Sequence, residues 1–100
     1  MATLHLLSQS PFSDDRLASC LRLLTAEDAV LLCGDAVYAL QNGTAQRKAL
    51  ESIPESVGLF ALDEDLHARG IDSQPARLEP VDYEGFVALC CRYARTNSWL

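Results

Sequence analysis

The stretch Asp28–Leu40, DAVLLCGDAVYAL, decides how this chain is read. Ala29-Val30-Leu31-Leu32-Cys33 is an apolar run of strand length, too continuous to be half exposed. A parallel strand covered by helices on both faces has this pattern. Gly34 permits a tight turn, and Asp35 can cap a helix over Ala36 to Leu40 by accepting a backbone N–H bond. A strand that runs into a Gly-Asp turn and then a helix leaves the turn at the carboxyl end of the sheet, where open α/β proteins place their sites.

Upstream, Thr3 to Leu7 (TLHLL) reads as a first strand, and Pro11 stops any element running through Ser8-Gln9-Ser10. Ser13 or Asp14 is the expected N-cap of a helix reaching Leu24, with Leu17, Leu21 and Leu24 as its core stripe. Downstream, Asn42-Gly43 makes a stop before a polar helix over residues 44–52, and Val57 to Leu62 (VGLFAL) is a third apolar strand. Asp63 is placed to cap a short helix over residues 64–69 that Gly70 closes. Leu78 to Val81 can form only a short strand, and Pro80 argues for a sheet edge. A last helix is expected from Tyr83 to Arg95, with Thr96 to Leu100 as a short tail that carries the only tryptophan. Strands alternating with helices imply a mostly parallel sheet with helices on both sides, a small α/β sandwich.

One hundred residues with 49% hydrophobic and 22% charged composition describe one small folded domain with a sticky surface, a first hint of a subunit. The net charge of −6 and the lack of a basic stripe speak against direct nucleic-acid binding. No apolar run reaches transmembrane length, and Met1-Ala2-Thr3 offers no positive n-region of a signal peptide, so no membrane is expected and the cytoplasm is the expected location.

Cys20, Cys33, Cys90 and Cys91 lack the CxxC spacing of zinc or redox sites. In the cytosol all four should be reduced, mostly as small buried hydrophobes. Cys20 is the sharpest candidate for chemistry. It sits about 65° from the centre of the leucine stripe, at an edge from which a thiol could reach solvent or a partner groove. Neither Arg16 nor Arg22 projects so as to lower its pKa. Cys33 ends the buried strand and reads as structural. Cys90 reads as facing the core, with Cys91 about 100° to its side. His5, within an apolar strand, reads as a histidine satisfied by a hydrogen bond, and His67 as solvated. No metal cluster, catalytic triad, paired carboxylates or phosphate loop can be assembled, and no cofactor is expected.

Several words in order resemble the TusB/DsrH family, sulfur-relay subunits with the DsrE-like fold. They are Leu4-His5, Ser10-Pro11-Phe12, Val30-Leu31-Leu32 with Asp35 and Val37, the run Ala61-Leu62-Asp63-Glu64-Asp65-Leu66-His67-Ala68-Arg69-Gly70, Val81-Asp82-Tyr83 with Phe86-Val87, and Trp99 near the end. The resemblance covers nearly the whole chain and implies one DsrE/DsrH-like domain over residues 1–100, a three-layer sandwich. It further implies a heterohexamer holding two copies each of this chain and of TusC-like and TusD-like subunits. Such a complex accepts persulfide sulfur from TusA and passes it through TusE towards 2-thiolation of the tRNA wobble uridine. The essential acceptor cysteine in that relay belongs to the TusD-like subunit, so the TusB-like chain is a structural partner, not catalytic alone, within a sulfurtransferase complex.

Ser19-Cys20-Leu21 departs from that picture, because it looks like the DsrH pattern of sulfur oxidisers, whose first helix commonly carries a cysteine. The resemblance therefore also implies an alternative, a DsrEFH complex of dissimilatory sulfur oxidation with Cys20 carrying persulfide sulfur. Ala36 stands where many relatives have Gly after the Asp.

Overall fold

The computed structural model describes residues 2–99. Five strands, β1 (Thr3–Leu7), β2 (Ala29–Leu32), β3 (Gly58–Leu62), β4 (Glu79–Val81) and β5 (Arg95–Trp99), form one sheet in the order β4-β3-β2-β1-β5. Every neighbouring pair is parallel. The helices are α1 (Arg16–Arg22), α2 (Ala45–Glu51), α3 (Asp63–Ala68) and α4 (Tyr83–Arg92), and a 3-10 helix spans Gly34–Leu40.

This topology fixes which helix covers which face. From β1 to β4 the chain steps across the sheet in one direction, and right-handed crossovers put α1, the 3-10 helix, α2 and α3 on a single face. The return from β4 to β5 runs the opposite way, so the same handedness sends α4 to the other face. The two cores agree. Leu7, Val30, Leu32, Leu59 and Ala61 turn towards Leu17, Val37, Leu40, Leu50 and Leu66 of the crowded face. Leu4, Ala29, Leu31 and Phe60 point the other way, against Leu89 of α4. All four residues of β2 are buried, as the apolar run requires.

The α/β sandwich with helices on both faces is the fold expected from the sequence, with local differences in the elements and their caps. Residues 34–40 wind as a 3-10 helix, and the bonds Ala36 N–H to Cys33 O (3.1 Å) and Gln41 N–H to Tyr38 O (3.2 Å) close three-residue turns. Asp35 caps nothing there, because its carboxylate is taken by Arg69 Nε (3.1 Å). Helix α1 starts at Arg16 and ends at Arg22, and neither Ser13 nor Asp14 is its N-cap. Asp14 instead accepts from the Arg16 backbone N–H (3.0 Å) and guanidinium (2.8 Å).

The largest difference lies in the tail. It is strand β5 rather than the frayed end of a longer last helix, and it pairs along the whole of β1 from Thr3↔Arg95 to Leu7↔Trp99. Leu100 lies outside the described residues. Arg95-Thr96-Asn97-Ser98 has no apolar alternation because none of the described residues covers this edge, and those four residues are exposed.

The expected cap Asp63 is instead the first residue of α3, whose N-cap position is Leu62 and carries no side-chain bond. Two caps not read from the sequence do form: Thr44 caps α2 through the Arg47 N–H (3.2 Å), and Asp82 caps α4 through the Gly85 N–H (2.7 Å). Gly70 adopts φ +67° after α3, while the Ile71 N–H reaches back to Leu66 O (3.0 Å). Irregular residues 71–77 are tied down by Arg77, whose guanidinium donates to the carbonyls of Ile53, Pro54 and Val57.

Helix α4 covers its face alone, and Leu89 is its only fully buried residue, at 5% exposure. Leu89→Ala is expected to cost about 2–4 kcal/mol in urea unfolding, with the amides of α4 and β5 becoming the first to lose hydrogen-exchange protection.

Candidate functional site

The polar groups with chemical potential gather at the two ends of the sheet. At the amino end, Asp28 stands immediately before β2 and is 3% exposed. Its Oδ1 accepts from the Thr3 backbone N–H (3.0 Å) and its Oδ2 from the Thr25 backbone N–H (3.1 Å). Oδ2 also meets His5 Nε2 at 3.1 Å. Trp99 Nε1 donates to the other imidazole nitrogen, Nδ1, also at 3.1 Å.

Because the indole can only donate, Nδ1 must be the unprotonated nitrogen, and the hydrogen resides on Nε2, aimed at Asp28. Both ring nitrogens are thereby used. His5 is the satisfied histidine expected from its apolar strand, held by two bonds rather than one, and it has no free lone pair with which to act as a base. Burial raises the Asp28 pKa, but the N–H bonds from Thr25, Thr3 and His5 outweigh it and bring the carboxyl down from 3.8 to about 2. A cleft of about 410 Å³ opens beside the pair, with Leu23, Thr25, Arg95 and Asn97 among its walls.

At the carboxyl end, where the sequence placed the site, the Gly34 turn is fastened rather than open. Gly34 has φ +53°, and a Cβ there would stand 3.2 Å from Ser8 O, so the position requires glycine. Its N–H donates to Asp65 Oδ2 at 2.8 Å. Arg69 bonds Asp35 and Asp65 and lies over the Tyr38 ring at 6.0 Å from the centroid. The Cys33 thiol, half-buried, donates to Leu7 O (3.4 Å). Burial pushes its pKa up and Asp65 adds to the rise, which Arg69 partly offsets. This knot holds β1, β2, the 3-10 helix and α3 together.

The edge placement of Cys20 is corrected by the structure. Its residue exposure is 0%, and it packs in the larger core beside Leu17. Desolvation, followed by the charge of Asp28, pushes the thiol up to about 12. The leucine stripe misled because Leu17 and Leu21, with Ala18, line the gap between α1 and α2, facing Ala45 and Ala49. Cys20 instead joins Leu7, Val30 and Leu32 in the larger core. Cys90 is half-buried against the α4 core and Cys91 is exposed. His67 is exposed, 3.9 Å from Asp63. Sequence reasoning missed Asp28 and Trp99 as partners of His5, and the available signal was an acidic residue abutting a fully apolar strand.

The sequence profile of the DsrH-like family, described as DsrH like protein, matches residues 9–96. Protein TusB of Erwinia tasmaniensis is 42% identical over 97 residues, covering 96% of this chain and 99% of that protein. Protein TusB of Escherichia coli O139:H28 is 37% identical over the same share of both. The fold is also that of the crystal structure of ychN protein from E. coli, with TM-score 0.76 and 18% identity over 98% of this chain and 99% of that one. The chain therefore belongs to the TusB/DsrH family, on a sandwich shared with ychN protein.

Two outcomes follow from the buried groups. The Asp28 carboxylate is stabilised in the folded state, so its contribution of about 2 kcal/mol is complete above pH 3.8 and is lost as pH falls towards about 2. Urea-unfolding free energies from about pH 5 down to about pH 2 should therefore fall more steeply for the wild type than for Asp28→Asn. Cys20 should react with a thiol reagent only at the rate of global unfolding, whereas Cys91 should react at once, as read by mass spectrometry of the labelled peptides.

Proposed function

We propose that this chain is a structural subunit of a TusBCD-like sulfur-relay complex, which serves 2-thiolation of the tRNA wobble uridine and is assembled with TusC-like and TusD-like chains. One observation carries the reading: within a TusB/DsrH-family chain, the two cysteines on the crowded face and at the carboxyl end are held as thiols. Sulfur transfer needs a thiolate to attack the outer sulfur of a donor persulfide, expelling the donor's own sulfur as thiolate. Cys20 has no access and Cys33 is occupied with the Leu7 carbonyl. A subunit of this kind contributes shape and surface while the acceptor thiol resides on a partner. In this reading TusA and TusE exchange sulfur with the complex rather than with this chain, and the complex works in the cytoplasm.

A second reading keeps Cys20 as a persulfide carrier in a DsrEFH-type complex of sulfur oxidation, and the Ser19-Cys20-Leu21 pattern favours it. It requires α1 to lift from the sheet when partners bind. That motion would expose Leu17 and break the contact between Cys20 and the core.

Two measurements decide between these readings. Co-purification from the native host should recover this chain with two different homologous subunits, and recovery of a lone chain would count against both readings. Treatment of the assembled complex with a persulfide donor should then leave the Cys20 and Cys33 peptides of this chain at their unmodified masses, whatever the exposed Cys91 takes up. Addition of one sulfur atom that disappears in Cys20→Ser would sink the structural-subunit reading in favour of the second. Cys20→Ser should cost about 1–3 kcal/mol of stability, since a hydroxyl replaces a buried thiol without a waiting partner.

A further inference from the structure

The two edges of the sheet are built differently. β4 is three residues long and carries Pro80 opposite Ala61, which blunts pairing on that side. β5 is five residues long, has no proline or glycine, and its first four residues are exposed. The Arg95 N–H donates to Ala2 O beside β1 (3.3 Å), so Arg95, Asn97 and Trp99 direct their backbone groups inward. Thr96 and Ser98 direct theirs away from the sheet. Side chains alternate as well: Arg95 and Asn97 fall on the face of Thr3 and His5, while Thr96 and Ser98 fall on the α4 side, in register with Leu4 and Leu6.

We propose that β5 is a self-pairing edge, through which two copies of this chain join their sheets by antiparallel β5 strands centred on Asn97. The strand is self-complementary in this register and no special fitting is needed. Thr96 of each copy lies opposite Ser98 of the other, and these are the two residues whose N–H and C=O groups point outward, so both pairs close as hydrogen-bonded pairs. Their side chains form a hydroxyl pair on one face. On the other face Arg95 of each copy lies opposite Trp99 of its mate. Among the described residues Arg95 makes no ion pair, and the indole is already oriented by His5. A guanidinium opposite an indole is a favourable cation–π arrangement. No acidic residue lies on β5, so the net charge of −6 is not concentrated where the copies meet. Shifting the register by one residue would bring the inward-directed groups of Asn97 to the interface and lose this pairing. The inference rests on the strand's geometry and is independent of the sulfur-relay reading.

Sedimentation velocity of the full chain over a concentration series tests it. The wild type should show a reversible monomer–dimer equilibrium. Thr96→Lys with Ser98→Lys places like charges opposite each other at both pairs and should weaken the dimer about tenfold or more. Thr96→Lys with Ser98→Glu places opposite charges at both pairs and should recover it. Circular dichroism should be unchanged in both variants, since all the substituted side chains are exposed. Hydrogen exchange needs no substitution: the Thr96 and Ser98 amides should exchange more slowly as wild-type concentration rises. A wild type that stays monomeric throughout, a double-lysine variant that dimerises as well as wild type, a lysine–glutamate variant that does not recover, or concentration-independent exchange at Thr96 and Ser98 would each overturn the proposal.

Discussion

The structure depends on one buried charge. Taking a carboxylate out of water costs several kcal/mol unless its lone pairs are met by donors fixed in place. Asp28 meets that condition by recruiting donors from three places at once: the start of β1, the loop that ends α1, and the ring of His5. Trp99 then completes the imidazole from the last strand. A residue ahead of β2 thus pins β1 directly and β5 through a histidine. The entry of β2 fixes its register against β1, from Leu4↔Ala29 to Leu7↔Leu32. The opposite end is held by the same means, with Asp65 and Arg69 closing over the Gly34 turn.

Between these clamps the two faces of the sheet are unequal. One carries three helices and the 3-10 helix over a continuous core, and the other carries α4 alone over a smaller one. The single direction of travel from β1 to β4 makes this unavoidable, since each right-handed crossover lands on the same side. On the thinly covered face Phe86, Cys90 and Tyr93 remain half-buried, and Tyr83 and Val87 of α4 are 57% and 59% exposed.

The thiols show how position overrides identity. The same side chain is insulated in the core at Cys20, occupied with a carbonyl at Cys33, half-covered at Cys90 and open at Cys91. Desolvation and a nearby carboxylate push the Cys20 thiol up to about 12. Periodicity placed it at the margin because leucines outweigh a cysteine in any reading of an apolar stripe. The packing inverted that weighting, burying Cys20 completely while Leu21 and Leu24 stay only partly buried.

The sequence by itself determined the class of fold, the three inner strands and the direction of the sheet. A buried parallel strand must be apolar throughout, and β2 and β3 are. It also determined the stops at Gly34 and Gly70, because only glycine takes those backbone angles without strain. The family was legible in words spread along the chain. Only the tertiary structure decided that the polar run Arg95–Trp99 is a strand, because an edge strand takes its conformation from the partner it pairs with and needs no pattern of its own. It alone brought Trp99 to His5 and His5 to Asp28, residues separated by 94 and 23 positions. Contacts over such distances are set by strand order and register, which a helical or two-residue period does not encode.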